Sequence, residues 1–279
     1  VVMISGSDNV IRRNYVNPRA WVGFGDQYPS LISIYPGSRN IVENNIVENG
    51  AIGLQISSIG DSLDNKFLGN LVLGHWVSGV ALHCYVFGDP NNNTINTIVQ
   101  NTVIIPIATQ FTYRSVWLSN ADNTTVSNLS IFGVSSAEGG FTVWGNAYHV
   151  GCPVPATSFS LKNSMVTGYT DASAFGVQVR SDQGSLGSWS IDFVRSAGND
   201  INFSPSSHAN MTNITTDAIT GLNNCKAFIP TGSNLKGAGQ GGADLGANIL
   251  YAYENGVLQD GSGGTTVKKL WNSADKKWS

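Results

Sequence analysis

The stretch Arg39–Ser57 reads RNIVENNIVENGAIGLQIS and places two asparagines, Asn40 and Asn45, among valines and isoleucines. Valine and isoleucine are residues that β-strands favour. An amide inside an apolar strand, however, costs free energy unless it is hydrogen-bonded. Repeats of the same pattern along the chain indicate what satisfies these two amides.

Pairs of asparagines five positions apart recur along the chain, and most are followed by a short β-branched or aromatic run. The copies are Asn9–Asn14, Asn40–Asn45, Asn65–Asn70, Asn96–Asn101 and Asn123–Asn128, with a weaker one at Ser158–Asn163. The second asparagine therefore recurs every 25 to 35 residues. A period of this size is typical of repeat proteins, in which each repeat packs on its neighbours.

A second predicted strand follows each motif and alternates apolar with variable residues. These strands cover residues 31–34, 52–56, 80–83, 116–118, 141–144 and 175–179. Alternation with a period of two indicates one buried and one open face. The sequence has no convincing stretch with the 3.6-residue period of a helix, so we predict an essentially all-β chain.

Short strands at this period favour a solenoid whose coils stack about 4.8 Å apart. Stacking places equivalent residues above one another, so the asparagine of one coil can hydrogen-bond that of the next. We call such a stack an asparagine ladder and expect Asn14, Asn45, Asn70 and Asn101 to share one. The alternative is a set of ordinary Asn-rich surface turns. The repeated five-position spacing favours the ladder.

The repeats resemble those of the right-handed parallel β-helix (pectate-lyase-like) superfamily. The resemblance implies a β-helix of about six or more coils over residues 1–220, with further N-terminal coils expected before residue 1. Residues 221–279 lack the motif and are Gly-rich, and we expect them to pack on the helix or cap it. The stretch Gly239–Asp244 partly matches a calcium-binding repeat, which makes Ca²⁺ a candidate ligand.

Composition narrows the function. Of 279 residues only 12% are charged, and the net charge is −3 without a Lys/Arg cluster, so nucleic acid is not an expected partner. No apolar run reaches the length of a membrane span, so no membrane partner is expected. We expect a protein that is secreted or displayed on a cell surface or virion.

Outward strand residues of stacked coils form rows. The first predicted row is Ser33, Gln55, His83, Trp117 or Ser119, Trp144 and Gln178. The row two residues on is Tyr35, Ser57, Tyr85, Asn146 and Arg180. Aromatic faces and amides suit a polysaccharide, because sugar faces pack on rings while amides orient hydroxyls. We therefore predict substrate binding by Gln55, Tyr85, Trp117, Trp144, Gln178 and Tyr35. Aromatic residues that merely stack to stabilise the sheet are the alternative.

The reaction chemistry is less defined. The resemblance implies lyases, which use a base and a cation on a uronate, or hydrolases, which use two carboxylates. His83, Arg180 and Arg114 are the candidate catalytic residues, with Asp89, Glu138 and Asp182 in nearby loops. The Arg-x-Pro-x-x-Arg pattern of pectate lyases and the paired aspartates of polygalacturonases are absent. A half-buried structural His83 and a solvated Arg180 are the alternatives.

We therefore predict an extracellular polysaccharide-binding β-helix, with lyase activity on a uronate polymer as its enzymatic form. The rival is a non-catalytic structural or adhesive β-helix, such as a phage tail spike or surface protein. An enzyme of this kind is expected to be a monomer and a spike a homotrimer.

Overall fold

The computed structural model describes residues 2–17, 30–58, 60–84, 94–106, 112–119, 121–135, 137–144, 157–183, 186–222 and 226–249, with four short strands after them. Strands dominate these residues. Regular helix is limited there to two 3₁₀ turns, Ser181–Gln183 and Gln240–Gly242. The expected all-β class is confirmed.

The first sheet has eight strands, and all of them pair in parallel. In spatial order the strands are β1 (Val2–Ile4), β4 (Ser30–Ile34), β7 (Ile52–Ser58), β11 (Ser78–Cys84), β15 (Thr112–Ser119), β19 (Ala137–Trp144), β21 (Phe175–Arg180) and β23 (Ile201–Ser204). The strand order follows the chain order, with the other sheets visited in between.

The second sheet holds thirteen parallel strands in two branches that meet at long strands. One branch is β2 (Val10–Arg12), β5 (Ile41–Glu43), β9 (Lys66–Leu68), β13 (Ile98–Gln100) and β17 (Thr124–Ser127). The other is β3 (Tyr15–Val16), β6 (Ile46–Glu48), β10 (Leu71–His75), β14 (Val103–Pro106) and β18 (Ser130–Phe132). The branches are joined by β20 (Thr157–Thr167), which also pairs β22 (Leu186–Ala197), itself paired with β24 (Met211–Thr215).

The remaining strands are short. A third, parallel sheet contains β8 (Ser62–Leu63), β12 (Thr94–Ile95) and β16 (Ala121–Asp122). Two antiparallel pairs follow, β25 (Ala252–Glu254) with β26 (Val257–Gln259), and β27 (Trp271–Asn272) with β28 (Lys277–Trp278). The chain thus returns to the same sheets in turn, and we call each circuit a rung. This arrangement is consistent with a parallel β-helix.

The main core lies inside the rungs. It is built from columns of inward-pointing residues, and each strand of a sheet contributes one residue to a column. In the first sheet Ile32, Leu54, Val80, Val116, Phe141 and Val177 occupy successive rungs in register. All six are at most 1% exposed. Stacked aliphatic side chains of this kind give a continuous core along the whole axis.

Two asparagine ladders run beside this core, and within them the buried amides form hydrogen bonds with one another. The Oδ1 of Asn45 accepts hydrogen bonds from both the backbone N and the Nδ2 of Asn14, each at 3.0 Å. Asn45 in turn donates to Oδ1 of Asn70 at 3.0 and 3.1 Å. Asn9, Asn40 and Asn65 form the second ladder in the same way. Each amide therefore fixes the position of the rung before it.

The predicted membership of the first ladder is wrong at its fourth position. Strand pairing places Thr102, not Asn101, above Asn70. Asn101 instead joins a neighbouring column of bend residues, every one with a left-handed φ between 48° and 62°: Arg13, Asn44, Gly69, Asn101, Asn128, Asn163, Phe193 and Asn213. Asn96 and Asn123 are shifted likewise, into the column of Asp64. Asparagine tolerates this backbone conformation, so the same residue type serves two positions.

Residues 226–249 lie along the outer face of the branch that contains β6, β10, β14 and β18. Asn248 exchanges two hydrogen bonds with the side chain of Asn101, at 2.8 and 3.0 Å. The backbone N of Gln240 donates to Oδ1 of Asn163 at 2.9 Å. Apolar residues of this segment also share a cluster with outward residues of the strands, such as Ile46, Leu71, Val103, Phe132, Met165, Ile229, Leu235 and Ile249. The side chains of the bend asparagines point away from the core, and there they bind residues 226–249.

Substituting Asn40 by Ala should lower the free energy of unfolding by about 2–4 kcal/mol, because it leaves the backbone N of Asn9 and the carbonyl of Gly6 without their partner. Urea unfolding measures the change. Asn9→Ala is the matched control, since Asn9 is the exposed end of the same ladder and should cost about 1 kcal/mol or less. Equal losses in the two variants would contradict a stabilising ladder.

His75 predicts a pH dependence of stability. Its ring is fully buried, and burial lowers its pKa from 6.5 to about 3. Between these values the unfolded chain binds a proton that the folded chain does not, so stability is lost as the pH falls below 6.5. We expect the free energy of unfolding to fall by about 1.4 kcal/mol per pH unit in this range. The His75→Leu variant should lack this contribution. Unfolding at pH 7 and pH 5 tests this, and an equal pH dependence in the wild type and in His75→Leu would contradict it.

Candidate functional site

The outward residues of the first sheet form two columns, and the members of these columns differ from those of the two rows predicted from the sequence. One column holds Ser33, Gln55, Ala81, Trp117, Thr142, Gln178 and Ser204. The next holds Ser57, His83, Ser119, Trp144 and Arg180. His83 and Trp144 are therefore neighbours of the first column rather than members of it. The placement of Gln55, Trp117 and Gln178 in one column agrees with the prediction.

His83 is held by two neighbours and is only 5% exposed. Its Nε2 lies 2.7 Å from Nε2 of Gln55, on the rung below. Its ring stacks on Trp117, with ring centroids 5.1 Å apart and planes 12° from parallel. Gln55 in turn accepts a hydrogen bond from Ser30. This geometry fixes the imidazole firmly against the sheet.

Two guanidinium groups meet at one indole. The Cζ of Arg114 lies 4.1 Å from the ring centroid of Trp144, and that of Arg180 lies 5.5 Å from it. Arg114 also lies 5.7 Å from Trp117, whose ring meets Trp144 edge-on at 5.5 Å. The attraction between a cation and an aromatic face positions both arginines. We call Arg114, Trp144 and Arg180 the arginine cluster.

Each arginine of the cluster also contacts a carboxylate. Arg114 Nη2 lies 3.2 Å from Oε2 of Glu138. Arg180 donates to both oxygens of Asp182, from Nε at 3.2 Å and from Nη2 at 2.8 Å. The hydrogen bond to Asp182 raises the pKa of Arg180 above its ordinary value. Two of the three predicted carboxylates thus lie beside the two predicted cations, although Glu138 belongs to strand β19 rather than to a loop.

The arginine cluster opens onto a cleft of about 250 Å³. Polar groups from three strands and a loop line it, among them Arg114, Glu138, Thr142, Asp171, Gln178 and Arg180. A second concave surface, of about 510 Å³, continues from Phe175, Gln178 and Arg180 towards Ser204 and Pro205. Together they form a groove that crosses successive rungs on the outer face of the first sheet.

The structure separates the predicted binding residues. Trp144 is 5% exposed, so it supports the arginines rather than offering an open face to a sugar. Tyr35 follows β4, three strands from β15, the nearest strand that lines the cleft, which places Tyr35 roughly 14 Å from it at the usual strand spacing. Tyr85, Asp89 and Asn146 lie outside the described residues. Gln178, Arg114 and Arg180 are the predicted residues that the cleft brings together.

Sequence reasoning missed the far wall of the cleft. Asp171, Ala172, Ser173 and Ala174 line it and lie in the loop between β20 and β21. Ser173 donates its backbone N–H to Asp200 at 2.8 Å, and Ala174 closes a turn onto the carbonyl of Asp171 at 2.9 Å. The loop carries no repeat motif, so no pattern in the sequence pointed to it.

Calcium finds no supporting geometry at Asp244. Its Oδ2 lies 3.0 Å from Nζ of Lys236 and accepts from Asn248 at 2.8 Å, while Oδ1 accepts from the backbone N of Gly237 at 2.9 Å. Both oxygens therefore face donors rather than a cation site. Within the described residues, no three His, Cys, Asp or Glu side chains gather as a metal site.

No helix in that part of the chain is long and apolar enough to cross a membrane.

The chain was compared with protein-family models, with curated proteins and with solved structures, and none of them matches it. The candidate site is therefore defined by its own geometry.

Proposed function

We propose that the chain is a right-handed parallel β-helix of the pectate-lyase-like kind, and that its cleft binds an anionic extracellular polysaccharide, such as a uronate polymer. The stacked parallel rungs and the asparagine ladders support the fold. The groove across successive rungs supports a polymer, because it is open and extended rather than enclosed.

The observation that carries the proposal is the pair of guanidinium groups held on Trp144. Arginine is suited to planar carboxylates because it offers parallel N–H donors. Arg114 and Arg180 come from strands separated only by β19, so they present two such donors along one groove. Glu138 and Asp182 occupy them in this structure, and a sugar carboxylate takes the place of one of these side chains.

Neutral groups of the cleft complete the recognition of a sugar. Gln178 presents an amide that both donates and accepts, and Thr142 presents a hydroxyl. Hydroxyl groups of a sugar ring need such paired donors and acceptors. The combination therefore favours a polymer that carries hydroxyls and carboxylates over a neutral glucan or a simple polyanion.

Binding has more support than elimination. A lyase needs a base that reaches the proton next to the carboxylate. His83 is covered by Trp117 and Gln55. The pKa of Arg180 is raised, which is opposite to what a base working near neutral pH requires. Cleavage through Arg114 or His83 remains a prediction that depends on rearrangement when a polymer binds.

Arg114→Gln and Arg180→Gln should each weaken binding of oligogalacturonate about tenfold or more, since each removes a charged hydrogen-bond donor. Isothermal titration calorimetry measures the affinity. Arg39→Gln is the matched control, because Arg39 pairs with Asp8 on another face, and its affinity should equal that of the wild type. Equal affinity for uronate and for neutral oligosaccharides would contradict the proposal.

The enzymatic form is tested by incubation with a panel of uronate polymers. Ultraviolet absorbance of the unsaturated product should rise if elimination occurs, and His83→Ala should abolish the rise. Binding without any product would instead favour the adhesive alternative, in which sedimentation is expected to show a homotrimer rather than a monomer.

A further inference from the structure

The first sheet contains a column that accepts only small residues. In register, it consists of Gly53, Gly79, Ser115, Gly140 and Gly176. A Cβ at Gly79 would lie 2.3 Å from Ile104, and one at Gly140 would lie 2.4 Å from Val166. Both distances are far too short for carbon atoms. The other members of this column are glycines, so Ser115 places a hydroxyl group where the neighbouring rungs have no side chain.

The hydroxyl of Ser115 is the centre of a buried polar chain. Tyr169 OH donates to Ser115 Oγ at 2.5 Å, and Ser115 Oγ lies 3.1 Å from His75 Nε2. All three residues are 0% exposed. They come from three different rungs, because His75 ends β10, Ser115 lies in β15 and Tyr169 follows β20. We refer to them as the Tyr169–Ser115–His75 chain.

The ring of Tyr169 passes beneath an intervening strand to make this contact. Strand β19 lies between β15 and β21, and a Cβ at its Gly140 would lie only 3.0 Å from Cε2 of Tyr169. A Cβ at Gly133 would lie 2.6 Å from Cδ2 of the same ring. Two glycines therefore leave the room that Tyr169 occupies. The contact skips one strand, unlike the rung-to-rung hydrogen bonds of the sheets.

Both ends of this contact adjoin the cleft. Ser115 directly follows Arg114, the more buried of the two arginines of the cluster. Tyr169 stands two residues before Asp171, where the cleft wall of residues 171–174 begins. The backbone of Tyr169 is fixed as well, since its N–H donates to Asn199 at 3.0 Å and its carbonyl accepts from Asp200 at 2.7 Å.

We propose that the Tyr169–Ser115–His75 chain is a positioning element that holds the cleft wall at a fixed distance from Arg114. These residues do not touch the substrate. They act through the strand that carries Arg114 and through the loop that forms the wall. The effect on ligand affinity rests on the proposed function, whereas the effect on the wall does not.

Tyr169→Phe tests the inference, because it removes the hydroxyl and keeps the ring that fills the core. Hydrogen exchange followed by mass spectrometry should show the amides of 172–174 exchanging roughly tenfold faster, in line with the loss of one buried hydrogen bond. The amides of 116–118, in the core strand β15, should exchange as in the wild type. Ser115→Ala should give the same pattern, and the double variant should add little to either.

Tyr15→Phe is the matched control, since Tyr15 donates to Glu48 on another face. It should leave both exchange at 172–174 and ligand affinity unchanged. In Tyr169→Phe the affinity for oligogalacturonate should fall roughly fivefold to tenfold through the loosened wall. Unchanged exchange at 172–174 overturns the inference. Faster exchange in Tyr169→Phe with unchanged affinity for oligogalacturonate overturns the positioning role. If the wild type itself binds no uronate, faster exchange in Tyr169→Phe still supports the contact that holds the cleft wall, and the proposed function is overturned instead.

Discussion

The structure depends on the hydrogen bonds that buried asparagine amides make from one rung to the next. Because Oδ1 of Asn45 accepts from both the backbone and the side chain of Asn14, a shift of one residue would break two bonds at once and leave a buried amide unsatisfied. The ladders therefore fix the register of the early rungs. The outward columns on the first sheet follow from the register between rungs, which the ladders set for the early part of the chain.

Later rungs keep the register by different means. Thr102 and then Leu129 replace the ladder asparagines, and the backbone of Leu129 is bound by the hydroxyl of Ser164 at 3.0 Å. Asparagines there occupy the left-handed bend instead, where Asn101 and Asn163 bind residues 226–249. The amides thus stabilise rung stacking at one end of the chain and packing of the C-terminal segment at the other.

The cleft has two sources: the stacked strands of the first sheet and a loop that breaks the repeat. Arg114, Trp144 and Arg180 meet because consecutive parallel strands lie about 4.8 Å apart, so residues far apart in sequence become neighbours. The cleft wall and Tyr169 come from a loop that breaks the repeat. The rungs therefore supply the cations, while the irregular loop between β20 and β21 gives the site its depth.

The sequence by itself determined the all-β class, the stacked repeats and the burial of Asn40, Asn45 and Asn70, because periodic apolar residues and spaced amides are local signals. It also placed Gln55, Trp117 and Gln178 in one row. It could not tell a ladder asparagine from a bend asparagine, since Asn70 and Asn101 fit the same five-position spacing. Only the tertiary structure decided that His83 and Trp144 belong to a second column, and that Tyr169 reaches Ser115. Those contacts depend on strand pairing and on room left by Gly140, which no local pattern records.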